Sequence, residues 1–182
     1  CPNMWDVHGL AEEGFDAFVS CLASRTGAAK DAWAIDYQAH ADALAVAKEI
    51  GVSHFVLLSA ICVQKPELQF QKAKLAFEDL LIASGLTYSI VRPTAYFKSL
   101  SGQIERLRQG KPFLLFGSGE LTSCKPISDF DLAAFIADSL CQSELHNKIL
   151  PVGGPGSPIT PREQGEMLFE LLRRPAKFRS VP

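Results

Sequence analysis

His54–Arg92 reads HFVLLSAICVQKPELQFQKAKLAFEDLLIASGLTYSIVR, and this stretch decides the fold. Its opening run, His54 to Ala60, carries Phe55, Val56, Leu57 and Leu58 without a charge, as expected of a parallel strand covered on both faces. A helix is predicted from about Glu67 to Ser84, closed by Gly85, because Phe70, Phe77 and Leu81 fall within one narrow angular stripe. Lys74 sits on the edge of that stripe. Thr87 to Arg92 is a further buried strand, stopped by Pro93, whose missing N–H could not serve a central ladder. Strand, long helix and strand make a βαβ unit, and hence a parallel sheet.

Outward from this unit the pattern repeats. Upstream, Phe15 to Leu22 reads as a buried strand feeding the loop Ala23–Gly27. A helix then follows from Asp36, read as its cap, through Ala39, Ala43, Leu44, Ala47 and Ile50 to a stop at Gly51. Downstream, Leu100, Ile104 and Leu107 mark a short helix ending at Gly110. Phe113–Phe116 and Leu121–Lys125, flanking Gly117, Ser118 and Gly119, resemble a hairpin. Ser128 with Asp131, and Thr160 with Pro161 and Glu163, are capping boxes ahead of two amphipathic helices. Lys148–Val152 is a last strand, leaving through Gly153, Gly154, Pro155 and Gly156.

The fold class expected is α/β: a Rossmann-like parallel sheet with helices on both faces, its N-terminal βα units missing, plus a small C-terminal α+β substrate-side region. Residues 1–97 read as the C-terminal half of a dinucleotide-binding domain, and residues 98–182 as the substrate-side region packed on the same core. In such sheets ligands lie beyond the carboxyl ends of the strands. That places Cys21–Arg25, Ser59–Cys62 and Arg92–Phe97 around one crevice.

Composition narrows the rest. The chain has 182 residues, 47% hydrophobic and 21% charged, with mean hydropathy of +0.10, an ordinary globular balance. A formal net charge of -2 supplies no positive field to hold a polyanion, so nucleic-acid binding is not expected. No apolar run approaches the roughly 20 residues that cross a bilayer. The 5 cysteines, Cys1, Cys21, Cys62, Cys124 and Cys141, are odd in number and contain no Cys-x-x-Cys pair, which argues against a disulfide framework or a zinc site. His8, His40, His54 and His146 show no ligand spacing, so no metal is expected. A start at Cys1 and Pro2 without a targeting pattern suggests that the native start lies upstream. Neither a Gly-x-Ser-x-Gly elbow nor a glycine fingerprint between strand and helix occurs; the glycines at 117–119 and 153–156 read as turns.

Several runs together carry a family resemblance. Ser20-Cys-Leu-Ala-Ser-Arg-Thr-Gly27 and Ile35-Asp-Tyr-Gln38 are followed by Phe70-Gln-Lys-Ala-Lys74. Tyr88-Ser-Ile-Val-Arg-Pro-Thr-Ala-Tyr-Phe-Lys-Ser-Leu100 and Pro126-Ile-Ser-Asp-Phe-Asp-Leu-Ala133 come next. In this order they resemble the NmrA-like branch of atypical short-chain dehydrogenases/reductases, beginning near that family's fourth strand. Within the branch they resemble the plastid vinyl reductases of chlorophyll synthesis. The resemblance implies NADPH as cofactor, reduction of the 8-vinyl group of a divinyl chlorophyllide to ethyl, a tetrapyrrole substrate, and a chloroplast location in the stroma or peripheral to the thylakoid.

It also implies site residues. Family members carry a tyrosine four residues before the lysine, whereas Phe70 stands there in this chain, and a phenyl ring moves no proton. Lys74 is implied as the contact to the nicotinamide ribose; the plain alternative is a lysine snorkelling out of an apolar stripe. Ser59 corresponds to the family's active-site serine, or is a strand-end turn residue. Cys21, Leu22, Ala23, Ser24 and Arg25 would pass along the cofactor, with Pro93 and Thr94 holding the nicotinamide amide. Tyr96 is a candidate proton donor, with Tyr37 the other phenol near the crevice. Phe97 and Phe116 would line a flat apolar substrate cleft, or be plain core. Lys98 or Arg106 would face a substrate carboxylate. Because the macrocycle spreads the charge that hydride addition creates, a dedicated oxyanion hole is less needed. A competing reading is a noncatalytic, reductase-derived subunit of a larger assembly, since fold does not secure function. A third is an NADPH-sensing regulator.

Overall fold

The computed structural model describes residues 14–181. They form two compact units, one of the residues up to Pro93 together with Ala133–Val152, the other of Thr94–Leu132 with the residues from Gly153 onward.

The first unit is built on a four-stranded parallel sheet. Its order is β1 (Ala17–Ser20), β2 (His54–Leu58), β3 (Thr87–Pro93) and β5 (Lys148–Val152). The register sets Val19 beside Val56, Val56 beside Ser89 and Val91 beside Leu150. The uncharged run of β2 is buried on both faces, with Phe55, Val56 and Leu57 at most 2% exposed, which is what a central parallel strand requires. On one face, Leu44 and Ala47 of helix α2 (His40–Glu49) and Phe77 and Leu81 of α3 (Gln69–Ile82) close over Phe55, Leu57 and Ile90. Each leucine, isoleucine or phenylalanine among them contributes about 1.5–3 kcal/mol by leaving water. The α/β parallel sheet expected from the sequence is therefore present.

Two local expectations need correction. Asp36 does not cap a helix. The helix begins earlier, as α1 (Ala29–Ala32), runs through a π-helical segment (Trp33–Ala39) and continues as α2, with Asp36 buried inside the π segment. Its entry is held instead by Asp31, whose Oδ2 accepts from the backbone N–H of Arg25 and Thr26 and from the Thr26 hydroxyl. Pro93 does not follow the end of β3 but occupies it, opposite Val152; as the terminal residue its missing N–H interrupts nothing upstream. β5 extends the sheet beside β3, and residues 133–152 belong with the first unit.

The second unit contains α4 (Phe97–Leu100), a 3-10 turn (Ser101–Gln103), α5 (Ile104–Arg108), β4 (Phe113–Phe116), α7 (Pro161–Leu171) and β6 (Phe178–Val181). Helix α6 (Asp129–Cys141) starts in this unit and continues in the first. The expected hairpin is absent. β4 pairs in parallel with β6, from Phe113 beside Phe178 to Phe116 beside Val181, and Leu121–Lys125 forms no strand, contributing one isolated bridge between Cys124 and Ile159. The glycine turn does form, with Gly119 N–H donating to Phe116 O at 3.1 Å, but the next N–H along the edge of β4, that of Gly117, donates to Val181 O at 3.2 Å. Leu107, Phe113, Leu115 and Phe169 form this unit's core, with Phe178 packed against it. The α7 capping box is reciprocal: Glu163 N–H donates to Thr160 Oγ1 at 3.2 Å, and Thr160 N–H donates to Glu163 Oε2 at 2.7 Å. At α6 Ser128 Oγ accepts from Asp131 N–H at 3.0 Å and donates to its carboxylate at 2.7 Å.

Candidate active site

The loop that follows β1 carries Cys21, Leu22, Ala23, Ser24 and Arg25, and all except half-buried Ser24 are exposed. Ser24 turns inward because Asp36 receives it twice, from the backbone N–H at 3.2 Å and from the hydroxyl at 2.5 Å. The same carboxylate meets Lys74 Nζ at 3.0 Å. Asp36 is 1% and Lys74 8% exposed. Lys74 therefore does not snorkel to solvent. It reaches from α3 to the π-helical segment, and through Asp36 it is coupled to the loop at the tip of β1. A π turn carries more than the α-helical number of residues and so lets inward-facing positions follow closely; Asp36, Ala39 and His40 are all buried here. Burying the pair is sustained by its contact distance and by the Ser24 bonds that satisfy the carboxylate.

His40 lies beside this pair. Its Nδ1 is 2.8 Å from Ile35 O, and since a carbonyl only accepts, Nδ1 carries the proton. Burial pushes the imidazole pKa down, and the Lys74 cation adds to the effect. His40 is therefore neutral near pH 7, and its Nε2 is buried without a partner. At the end of β1, Ser20 Oγ is likewise buried without a partner.

A second buried polar group sits one helical turn beyond Lys74. Glu78, fully buried, accepts the Ser59 hydroxyl at 2.5 Å and the Arg92 Nε–H at 3.2 Å, while its other oxygen pairs with the Arg92 guanidinium. It ties the end of β2 to the end of β3 from the helix between them. Ser59, expected beside substrate or cofactor, is 5% exposed with its proton directed into Glu78.

Of the remaining candidates Pro93 ends the first unit's β3, and the others lie in the second unit. Pro93 closes β3; Thr94 Oγ1 donates to Lys125 O. Tyr96 bridges Ile127 and precedes the first turn of α4, its carbonyl accepting from Ser99 N–H at 3.0 Å. Phe97 and Phe116 are not core, being 54% and 76% exposed. Each lines an apolar cleft of this unit, Phe97 one of about 290 Å³ and Phe116 one of about 320 Å³. Arg106 is engaged internally, donating to Pro112 O at 2.8 Å.

The structure thus brings Lys74 together with Ser24 and keeps Ser59 for Glu78. Sequence reasoning missed Asp36, Glu78 and Arg92 as partners. The available signal was the spacing: Glu78 follows Lys74 by one helical turn and stands between apolar Phe77 and Leu81, where an unpaired carboxylate is not tolerated. Chemically, the buried Lys74 ammonium and the Ser24 hydroxyl share the Asp36 carboxylate behind the loop after β1, whose Ala23 and Ser24 are small, and Ser20 Oγ at the end of that strand is a donor with no partner. Among the described residues no group of three or more side chains could hold a metal ion, and no helix is long and apolar enough to cross a membrane.

Comparison with known proteins places the chain in a family. Residues 8–143 match a family described as NAD(P)H-binding. The chain is 57% identical over 175 residues to the chloroplastic divinyl chlorophyllide a 8-vinyl-reductase of Arabidopsis thaliana, covering 93% of this chain and 42% of that protein. It is 58% identical over 172 residues to the Cucumis sativus protein of the same name, covering 92% and 41%. The chain thus spans less than half the length of these curated relatives. UDP-glucuronic acid 4-epimerase from Bacillus cereus, solved with NAD and UDP-glucuronic acid, superposes with a TM-score of 0.82 over 97% of this chain and 65% of that one. At 16% identity that likeness concerns the fold.

Proposed function

This chain belongs to the NAD(P)H-binding family, and on that premise we propose that it supplies the nicotinamide side and the substrate side of an NADPH-dependent reductase of plastids. The substrate of this reading is a divinyl chlorophyllide, whose 8-vinyl group becomes ethyl. The observation that carries it is the buried Lys74 ammonium, 3.0 Å from Asp36 and coupled through it to the loop after β1. The similarity to the Arabidopsis and cucumber reductases supports the substrate, and their chloroplastic names support a plastid location, stromal or peripheral to the thylakoid.

When bound, NADPH would supply the hydride that adds to the vinyl terminus. Lys74 binds the ribose hydroxyls, held in place by Asp36; Ser24 and its neighbours Cys21 to Arg25 flank the cofactor, and Pro93 and Thr94 offer backbone to its amide. Ser59 acts by anchoring β2 to Glu78. Phe70 donates no proton, so the proton for the adjacent carbon comes from Tyr96. Phe97 and Phe116 contribute apolar surface to the macrocycle.

Incubating the purified protein with NADPH and divinyl chlorophyllide, and following the pigment by chromatography, is expected to give the monovinyl product. Lys74→Met is expected to weaken NADPH binding at least tenfold, and Tyr96→Phe to slow turnover without changing that binding. Undiminished NADPH affinity in Lys74→Met removes the basis of the reading, and full turnover by Tyr96→Phe excludes that phenol as donor.

A further inference from the structure

Gln71, Lys74 and Glu78 are buried polar side chains on one face of α3, at the i, i+3 and i+7 spacing that stacks them turn over turn. Lys74 is matched by Asp36, and Glu78 by Ser59 and Arg92. Gln71, 9% exposed, is matched on one edge of its amide only. Its Oε1 accepts from the backbone N–H of Glu67 and of Leu68, each at 2.8 Å. Two N–H donors can be met only by oxygen, so the amide is not free to turn over and Nε2 stands on its other edge. Among the described residues that nitrogen has no acceptor. Gln71 also lines a cavity of about 360 Å³ between the 3-10 turn after β2 (Ile61–Gln64) and the start of α3, and the unmet N–H groups are what it has left to offer there.

We propose that this cavity receives the carboxylate of the substrate, with Gln71 Nε2 as its buried hydrogen-bond donor and Lys65 as its counter-charge. The identity of the acid, a chlorophyllide, rests on the reductase reading above. Lys65 lines the same cavity from an exposed position, and among the described residues it pairs with nothing. A fixed amide N–H and an ammonium are the contacts an ionised carboxyl group needs when it leaves water. Of the cations expected to face that group, Arg106 is spent on Pro112 O, and Lys98 belongs to the second unit. Glu67 opposes the anion, since its carboxylate lines the cavity as well. Its side chain is exposed and screened by water and salt, whereas the Gln71 amide is not. The volume is near the lower end of the roughly 300–1,000 Å³ usual for a small-molecule site, so it takes the acid arm and leaves the macrocycle outside. The carboxylate then lies one helical turn before Lys74, on the same face of α3.

The test is an absorbance titration of the whole protein at pH 8, with NADPH present, using divinyl chlorophyllide and its propionate methyl ester as the two probes. The free acid is expected to bind about tenfold more tightly than the ester. Gln71→Glu keeps an oxygen for the two backbone N–H groups and sets a second one where the amide nitrogen stood. It is expected to abolish the preference through the free-acid Kd alone. Lys65→Gln is expected to weaken the free acid about threefold and Glu67→Gln to tighten it about twofold, with the ester unmoved in each. Equal binding of acid and ester by the wild-type protein, or equal weakening of both in Gln71→Glu, overturns the site and leaves the reductase reading standing. A preference that survives Gln71→Glu and Lys65→Gln but is lost in Lys98→Gln assigns the carboxylate to the second unit and likewise overturns it. Weaker free-acid binding in Glu67→Gln does the same, because the ligand would then be donating to that carboxylate. Binding of neither pigment overturns this proposal together with the choice of substrate.

Discussion

The two units keep their polar groups in opposite places. The first buries Asp36, Lys74, Glu78, Ser59 and His40, with Arg92 nearly so. The second buries Leu107, Phe113, Leu115 and Phe169 and leaves Phe97, Phe116, Leu121 and Leu171 at its surface. The lesson is one of mechanism. Charges held in low dielectric keep fixed geometry and act strongly on whatever binds beside them. Open apolar clefts select by shape and discriminate weakly between related hydrocarbons.

If that contrast is right, the first unit breaks by charge and the second by volume. The largest effect is expected for Glu78→Ala, which strands the Arg92 guanidinium and the Ser59 hydroxyl in the interior and should cost about 3–5 kcal/mol in denaturant unfolding. Replacing both partners, Glu78→Leu with Arg92→Met, should recover most of it, since the pair itself is worth far less than its rupture. In the second unit Gly165→Ala would set a methyl 2.5 Å from Phe178 Cε1 and 3.1 Å from Phe113 Cγ. Overpacking of that kind should cost about 1–3 kcal/mol, read from the same unfolding curves. Thr160→Ala removes the α7 cap and should cost about 1 kcal/mol, with the helix start losing amide-exchange protection.

The smallest effect is a pH slope. Burial lowers the pKa of His54, with the His146 ring adding to it, and burial with Lys74 lowers that of His40. The unfolded state, with histidines near 6.5, therefore binds protons that the folded state refuses. Stability should be full above that pH and fall as the pH drops below it toward the lowered folded values. His54→Asn should flatten this limb in thermal melts recorded between pH 7 and pH 5; an unchanged slope would show that His54 does not contribute to it.

How far the sequence carried the fold follows from the range of the interactions. β2 and α3 were legible because an uncharged apolar run and a stripe through Phe70, Phe77 and Leu81 are local signals. Asp36 ahead of an apolar periodic run has the signature of an N-cap, and a π segment has no comparable signature, so nothing local reveals that its carboxylate meets Lys74. Phe113–Phe116 with a glycine turn satisfies the local grammar of a hairpin. Its actual partner, Phe178–Val181, lies far along the chain, and no local pattern could set one pairing against the other. The resemblance singled out Lys74 and Ser24, which meet at Asp36. It did not separate the Ser59 hydroxyl from substrate, because what claims that proton is a glutamate on a different element.

The path of the chain between the units has a consequence for cleavage. Strand β5 returns to the first sheet after the second unit has begun, and the edge of β4 takes its parallel partner from β6, beyond β5 in the chain. A single proteolytic cut anywhere between Pro93 and Ala133 therefore severs β5 from the three strands it completes, and the first sheet then keeps β5 only through its non-covalent pairing with β3.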